Sequence, residues 1–228
     1  MQPLLTLLQI NDSMFPIGSF THSYGLESYV SQGIVKDTPS AKVYANNMLR
    51  HSIYYNDAAF LQKAWALLEA KKSVREFQKL DEMITALKAP AEIRDASKKL
   101  AIRFLKLTQE LHPVKRCSNY LAKIQEGQLH GHYAVAFAMY AHASGITLKD
   151  ALLAFYYNTL NGIVTNCAKL VPIGQGDAQK ILFDLQATIK ELVDQQENME
   201  EEMVGLCCIG QEIRCMQHEK QYSRLYIS

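Results

Sequence analysis

The chain has 228 residues, of which 48% are hydrophobic and 21% charged, an ordinary composition for a globular protein with one sizeable core. A formal net charge of +1 shows no excess of basic residues for binding phosphate groups, so nucleic acid is not expected as a partner. The five cysteines lack the spacing of a disulfide framework, and no apolar run is long enough to span a bilayer. Without a recognisable signal peptide either, we expect a cytoplasmic protein with no membrane partner.

Two segments open the chain. The first, "MQPLLTLLQIND", lacks a basic start and is interrupted by polar residues, so it predicts a short helix. The second, "FPIGSFTHSYG" at residues 15–25, contains Ser19 and His22, a possible nucleophile and base. It has no Gly-x-Ser-x-Gly elbow and no evident acid to orient the histidine. We therefore favour a helix start, capped by Ser19 or Thr21 and stopped at Gly33, over a hydrolytic site.

The aromatic residues of this segment need a further explanation. Phe15, Phe20 and Tyr24 are not required by a helix start, and Gly18 and Gly25 flank them. Such a cluster belongs either to the core or to an interface with another protein.

Apolar residues at helical spacing follow through the rest of the chain, and alternation of period two is nearly absent. "AEIRDASKKLAIRFLKLTQEL" lies between Pro90 and Pro113, and Thr147 can cap the next long helix. "GHYAVAFAMYAHASG" and "ALLAFYYNTLNGIVTNCAKLV" are apolar enough to predict core helices or an oligomer seam. The pattern predicts one all-α domain over residues 1–228, with roughly nine or ten helices and a helical homodimer seam.

Nucleotide and metal sites are weakly indicated. "GQGDAQK" lacks the Gly-Lys-Ser/Thr ending of a phosphate loop, and Asp177 would repel an anion, so we interpret it as a loop with a helix cap. Cys215 and His218 are three residues apart on one predicted helical face. They are weak candidates for a transient soft-metal site, because no Cys-x-x-Cys pair accompanies them. We expect no cofactor of the chain's own.

The carboxyl terminus, "MQHEKQYSRLYIS", has the composition of an interface. Tyrosine and arginine are enriched at interface hot spots, whereas terminal residues are usually polar and frayed. Residues 218–228 are therefore predicted to be a docking tail that is loosely packed in the free protein. The alternative is that this tail packs back on its own domain.

Four stretches resemble the UreF family of urease accessory proteins: "LLQINDSMFPIGSFTHSYGLE", "GHYAVAFAMYAHASGI", "KLVPIGQGDAQKIL" and "MQHEKQYSRLYIS". They match in order and cover both ends of the chain. Residues 71–128 carry no family motif, and Ala134 stands where the family often has proline.

The resemblance implies a dimeric all-α chaperone that is not an enzyme. It implies partnership with the accessory protein UreD (also called UreH), the GTPase UreG and apo-urease, in a complex to which nickel and GTP belong. Lys169 would reach the GTPase across an interface, or only favour the end of its helix dipole. The partner-binding residues would be Phe15, Pro16, Gly18, Phe20, His22, Tyr24, Lys169, Tyr222, Ser223, Arg224, Leu225 and Tyr226.

A second hypothesis remains open at this point. An all-α small-molecule-binding enzyme would place His22 or His130 in a pocket. Pull-down of partner proteins would separate it from the chaperone hypothesis.

Overall fold

Helices provide all the regular structure of the part of the chain that the computed structural model describes, which is residues 2–19, 22–222 and 224–226. The predicted all-α class is confirmed. The α-helices are α1 (Pro3–Ile10), α2 (Leu26–Ser31), α3 (Thr38–Asn47), α4 (Ala59–Glu69), α5 (Val74–Leu87), α6 (Ala91–Leu111), α7 (Lys115–Gln125), α8 (Tyr133–Ala143), α9 (Leu148–Leu170), α10 (Gln175–Asp184), α11 (Gln186–Gln196) and α12 (Ile209–His218).

A π-helical segment, Met48–Ala58, joins α3 to α4 without a break, and a 3₁₀ turn at Glu201–Met203 precedes α12. Only Leu185 separates α10 from α11. Counted as continuous rods, the helices of the described residues number ten, which agrees with the sequence prediction. The π-helical segment was not predicted, because the wider turn leaves the apolar spacing over a few residues almost unchanged.

Two of the predicted helix starts are confirmed and one is wrong. Helix α6 follows Pro90, and the Thr147 hydroxyl accepts the backbone N–H of Asp150 at 3.1 Å at the start of α9. Helix α2 begins at Leu26, several residues after the predicted cap Ser19, and the other predicted cap, Thr21, lies outside the described residues. The reason is conformational, because Gly25 has a φ of +82° and ends any helical path before it.

The core is built around α8. This helix packs mainly against α4 and α6, and every residue from Ala134 to Ala141 is buried. Its alanines let neighbouring helices of the same chain approach closely, so this face is not available as a dimer seam. Helix α9 was expected to be buried nearly all round, which is wrong: Tyr157 is 43% exposed. A homodimer stays a prediction, and the buried face of α8 is not part of its seam.

A buried carboxylate holds the connection between α7 and α8. Asp81 accepts the Tyr120 hydroxyl at 3.0 Å and the backbone N–H groups of His130 and Gly131 at 2.7 and 2.9 Å. Three donors satisfy a charge that would otherwise be costly to bury. The side chain of His130 is exposed, so this candidate pocket histidine lies outside the interior.

Among the helices that the structure describes, none combines the length and apolar character needed to cross a bilayer.

Candidate functional site

In the described part of the opening segment, residues 15–19 lie over α6 and residues 22–25 lie further inward. The ring of Phe15 meets that of Phe104 edge-on with 6.0 Å between centroids, while Pro16 is exposed. Gly18 has a φ of +85°, and a Cβ there would collide with the guanidinium of Arg103. The positive φ favours glycine at this position, since a residue with a side chain would be strained there even if Arg103 moved aside.

His22 lies on the inner side of this segment. It is 5% exposed, and burial together with the positive charges of Lys99 and Arg103 lowers its pKa to about 4. Its backbone carbonyl accepts the Asn166 side-chain amide at 2.8 Å, which ties the segment to α9. Tyr24 follows with a φ of +50°, an uncommon conformation for a residue with a side chain, and its ring centroid is 6.0 Å from that of His22.

The centre of the site is a group of charged side chains that we call the His218 cluster: Glu27, Glu92 and His218. Nδ1 of His218 lies 2.7 Å from a carboxylate oxygen of Glu92, and Nε2 lies 2.6 Å from one of Glu27. The histidine is fully buried and the two carboxylates are 14% and 11% exposed. Each ring nitrogen of His218 therefore has a carboxylate of its own within hydrogen-bonding distance, and the two contacts together fix the orientation of the ring.

Helix geometry explains why these charges meet. Glu27 and Glu92 lie in the first turns of α2 and α6, and His218 lies in the last turn of α12. Each charge therefore sits at the helix end whose dipole favours it. The sequence analysis missed both glutamates, and the only signal for them was an acid in the first turn of a predicted helix.

The His218 cluster also holds the tail. The guanidinium of Arg224 donates to Glu92 at 2.6 Å, and the backbone N–H groups of Leu225 and Tyr226 donate to Glu27 at 2.8 and 3.1 Å. The expected loose packing is wrong for these residues, and the alternative of a tail packed on its own domain describes them. The reason is that two carboxylates beside one histidine have oxygen atoms left to accept further donors.

The tail nevertheless exposes apolar groups. Tyr222 is fully exposed and Leu225 is 70% exposed, whereas Tyr226 is 7% exposed. Of the predicted partner-binding residues, Phe20 and Ser223 lie outside the described residues.

Helix α2 connects the two ends of the chain. The Ser28 hydroxyl donates to the backbone carbonyl of Arg214 on α12 at 3.0 Å and accepts the Gln221 amide at 3.1 Å. A Cβ on Gly25 would come within 2.9 Å of the sulfur of Cys215. The structure thus brings together the opening segment and the tail, which sequence reasoning had treated separately.

Lys169 is exposed in the last turn of α9, three residues after Asn166, so it follows directly on the part of α9 that holds the opening segment. At this position its positive charge interacts favourably with the carboxyl end of the α9 helix dipole, as predicted.

The weak metal candidates do not form a site. Both ring nitrogens of His218 already contact carboxylates. Cys215 is buried, and burial, with the nearby charge of Glu92, raises the pKa of its thiol to about 12, far from the thiolate that a metal requires. The described part of the chain contains no group of three or more histidine, cysteine or acidic side chains that could hold a metal ion.

A cavity of about 120 Å³ lies beneath the opening segment, between it, the π-helical segment and α9. His22 lines it, as the enzyme hypothesis required of one of its two histidines. Other residues that line it include Ser23, Tyr44, Asp57, Lys88, Tyr133, Asn166 and Glu212.

Comparison with known proteins places this geometry in context. The model of the UreF family matches residues 35–186. The urease accessory protein UreF of Haemophilus influenzae strain PittGG is 37% identical over 222 residues, covering 97% of this chain and 94% of the relative. That of Actinobacillus pleuropneumoniae serotype 5b strain L20 is 38% identical over 230 residues, and that of Bacillus sp. strain TB-90 is 31% identical over 228 residues, each covering 100% of both chains.

Proposed function

The chain belongs to the UreF family of urease accessory proteins, and from this premise we propose that it bridges the accessory protein UreD (UreH) and the GTPase UreG. In this role it modulates GTP-dependent delivery of nickel to apo-urease. The chain is a scaffold and not a catalyst, and nickel and GTP are bound elsewhere in the complex. Its coarser role, in urease maturation, follows from the family itself.

The observation that carries the proposal is the composition and placement of the tail. Tyr222 and Leu225 are exposed apolar side chains on a segment that the His218 cluster holds in place. Tyrosine is one of the residues enriched among interface anchors, and the exposed leucine adds apolar area to the same segment. Because the segment is already attached to the protein, less conformational entropy is lost on docking than for a disordered tail.

We assign this tail surface to UreD and the Lys169 end of α9 to the GTPase. The two surfaces are connected through α2 and the opening segment, whose His22 carbonyl is bonded to Asn166 on α9. A scaffold needs such a rigid connection, because both partners must keep a fixed relation to one another.

The docking test uses Tyr222→Ala and Leu225→Ala in pull-down with UreD. Loss of an interface anchor typically costs about 2 kcal/mol or more, which is roughly a thirtyfold fall in affinity. Phe183→Ala is the matched control, because Phe183 is 71% exposed on α10. Equal binding by all three variants and the wild type would exclude the tail as the docking surface.

The second test concerns the GTPase. Lys169→Ala is expected to unfold at the wild-type temperature but to change urease activation and UreG binding. Lys190→Ala, at an exposed position on α11, is the control for loss of a surface charge. Unchanged activation and unchanged UreG binding in Lys169→Ala would leave the lysine with its helix-dipole role alone.

A further inference from the structure

Helix α6 carries three positive charges on its exposed face, which we call the basic row: Lys99, Arg103 and Lys106. They follow one another at spacings of four and three residues, and all three are exposed. In the part of the chain that the structure describes, none of them forms an ion pair with a carboxylate. Like charges at these spacings on a helix repel one another, so the row favours a partner that supplies negative charge.

The acids at the two ends of the basic row do not neutralise it. Asp95 and Glu110 are exposed and lie four residues from Lys99 and Lys106, and neither pair forms an ion pair in the described structure. Residues 93–125 contain eight lysines and arginines against these two acids, although the whole chain has a net charge of only +1. The basic row therefore lies in a locally positive part of a nearly neutral protein.

The basic row continues the surface that holds the tail. Glu92, which accepts from the guanidinium of Arg224, lies in the first turn of the same helix. At about 3.6 residues per turn, Glu92 and the basic row lie within about 60° of one another around the axis of α6. Lys99 follows Glu92 by about 10 Å along that axis and Lys106 by about 21 Å. The attachment point of the tail and the basic row thus share one face of α6.

The size of an ordinary interface brings the two together. Such an interface covers about 800 Å² on each partner, a patch roughly 30 Å across. A protein seated on the exposed Tyr222 and Leu225 and extending along α6 therefore also covers the nearer part of the basic row. A neutral or basic surface would leave the ammonium and guanidinium groups partly desolvated and unpaired, whereas carboxylates would pair with them through charge-assisted hydrogen bonds.

We propose that the protein that docks on the tail presents an acidic surface along α6, whose carboxylates pair with Lys99, Arg103 and Lys106. This inference rests on the proposed docking of UreD on the tail, and it adds a second contact area and the charge of the partner's surface.

The test measures the association and dissociation rates of UreD with the full-length Lys99→Glu/Arg103→Glu double variant at about 0.1 M and 1 M sodium chloride. Exposed charges act mainly on association, so we expect association at least tenfold slower than for the wild type at the lower salt concentration, with dissociation little changed. At the higher concentration the screening length falls from about 10 to 3 Å, and the difference should disappear.

A matched control keeps the same change in net charge. Lys71→Glu/Lys72→Glu reverses two exposed lysines in the turn between α4 and α5 and should associate within about twofold of the wild type at both salt concentrations. If the α6 double variant does not fold, Lys99→Gln/Arg103→Gln takes its place, with an expected slowing of about threefold at the lower concentration.

Three results would overturn the proposal. They are wild-type association in the folded α6 variant, equal slowing in the control, and slowing that persists at the higher salt concentration, which would indicate a structural defect. Leu225→Ala separates the two proposals. If it weakens binding while the α6 variant does not, docking on the tail stands and the acidic surface is excluded. If only the α6 variant is impaired, the assignment of UreD to the tail fails, and failure of UreD to bind the wild type would refute both.

Discussion

Glu92→Gln is the substitution that tests the His218 cluster most directly. The side chain keeps its size and loses its charge, while Glu92 in the wild type accepts from both His218 and Arg224, at 2.7 and 2.6 Å. The carboxylate is 14% exposed and the histidine fully buried, so solvent screens that contact little. The guanidinium of Arg224 is 36% exposed, so its contact with Glu92 is screened more strongly. Removing the charge leaves the buried His218 with one carboxylate partner and takes away the ion pair between Glu92 and the guanidinium of Arg224.

The expected loss of stability follows from these contacts. Breaking a buried ion pair by removing one partner costs about 3–5 kcal/mol, and we take the lower value because the glutamine can still accept one hydrogen bond. For a chain of this size, a loss of about 3 kcal/mol lowers the unfolding temperature by about 6–12 °C. Local opening comes first, so the tail should lose protection before the core does.

Two measurements check this prediction. Thermal unfolding followed by circular dichroism gives the stability, and amide hydrogen exchange gives the protection of Leu225 and Tyr226, whose N–H groups bond to Glu27. Glu110→Gln is the control, because Glu110 is exposed on the same helix and should change stability by less than about 0.5 kcal/mol. If Glu92→Gln unfolds within about a degree of the wild type and both amides stay protected, the His218 cluster does not hold the tail.

Three other predictions use different parts of the structure. Asp81→Asn removes a charge that accepts from Tyr120, His130 and Gly131, so urea unfolding should show a loss of about 3 kcal/mol, against no change in the exposed control Asp95→Asn. The pKa of His22 is lowered from 6.5 to about 4 in the folded protein. Below about pH 6.5 the unfolded chain therefore binds a proton at this residue that the folded chain does not. The free energy of unfolding should fall by about 2 kcal/mol on this account as the pH is lowered from about 7.5 to 5. His22→Asn should remove that part of the fall, with the free energy of unfolding measured by urea titration at each pH. If the variant loses as much stability as the wild type between these pH values, the pH dependence does not come from His22. Sedimentation should show a homodimer, and a monomer at high micromolar concentration would exclude it.

The helical part of the fold was accessible from the sequence because it depends on short-range signals. Pro90 before α6, Thr147 at the start of α9 and Gly33 after α2 each act through the backbone of their immediate neighbours. The central position of α8 was visible as a run without charge. These signals could not show which apolar faces pack against one another. The alanine-rich face of α8 was therefore expected at a dimer seam, whereas in the structure it packs against helices of the same chain.

Only part of the site could be predicted from the sequence, because local patterns do not show long-range contacts. The opening segment and the tail were recognised by composition, but the residues that join them, Glu27 and Glu92, look like ordinary first-turn acids in the sequence. Their partner His218 is 191 residues from one and 126 residues from the other along the chain. No local pattern encodes a contact at that separation. The apparent metal pair of Cys215 and His218 had helical spacing in its favour, and burial and the two carboxylates exclude it.

The kind of contact that holds the tail also bears on how it can function. The core of the protein is joined by apolar packing, whereas Arg224, Leu225 and Tyr226 are attached by donation to two carboxylates. A contact of this kind is directional and can be exchanged for an equivalent one, because a partner that presents carboxylates to Arg224 offers the same pairing. Exchange would leave the apolar core intact, since α4 and α8 take no part in the His218 cluster and α6 contributes only Glu92, in its first turn. A tail held by charge is therefore compatible with both an anchored free state and a docked state, which a tail held by a buried apolar face would not be.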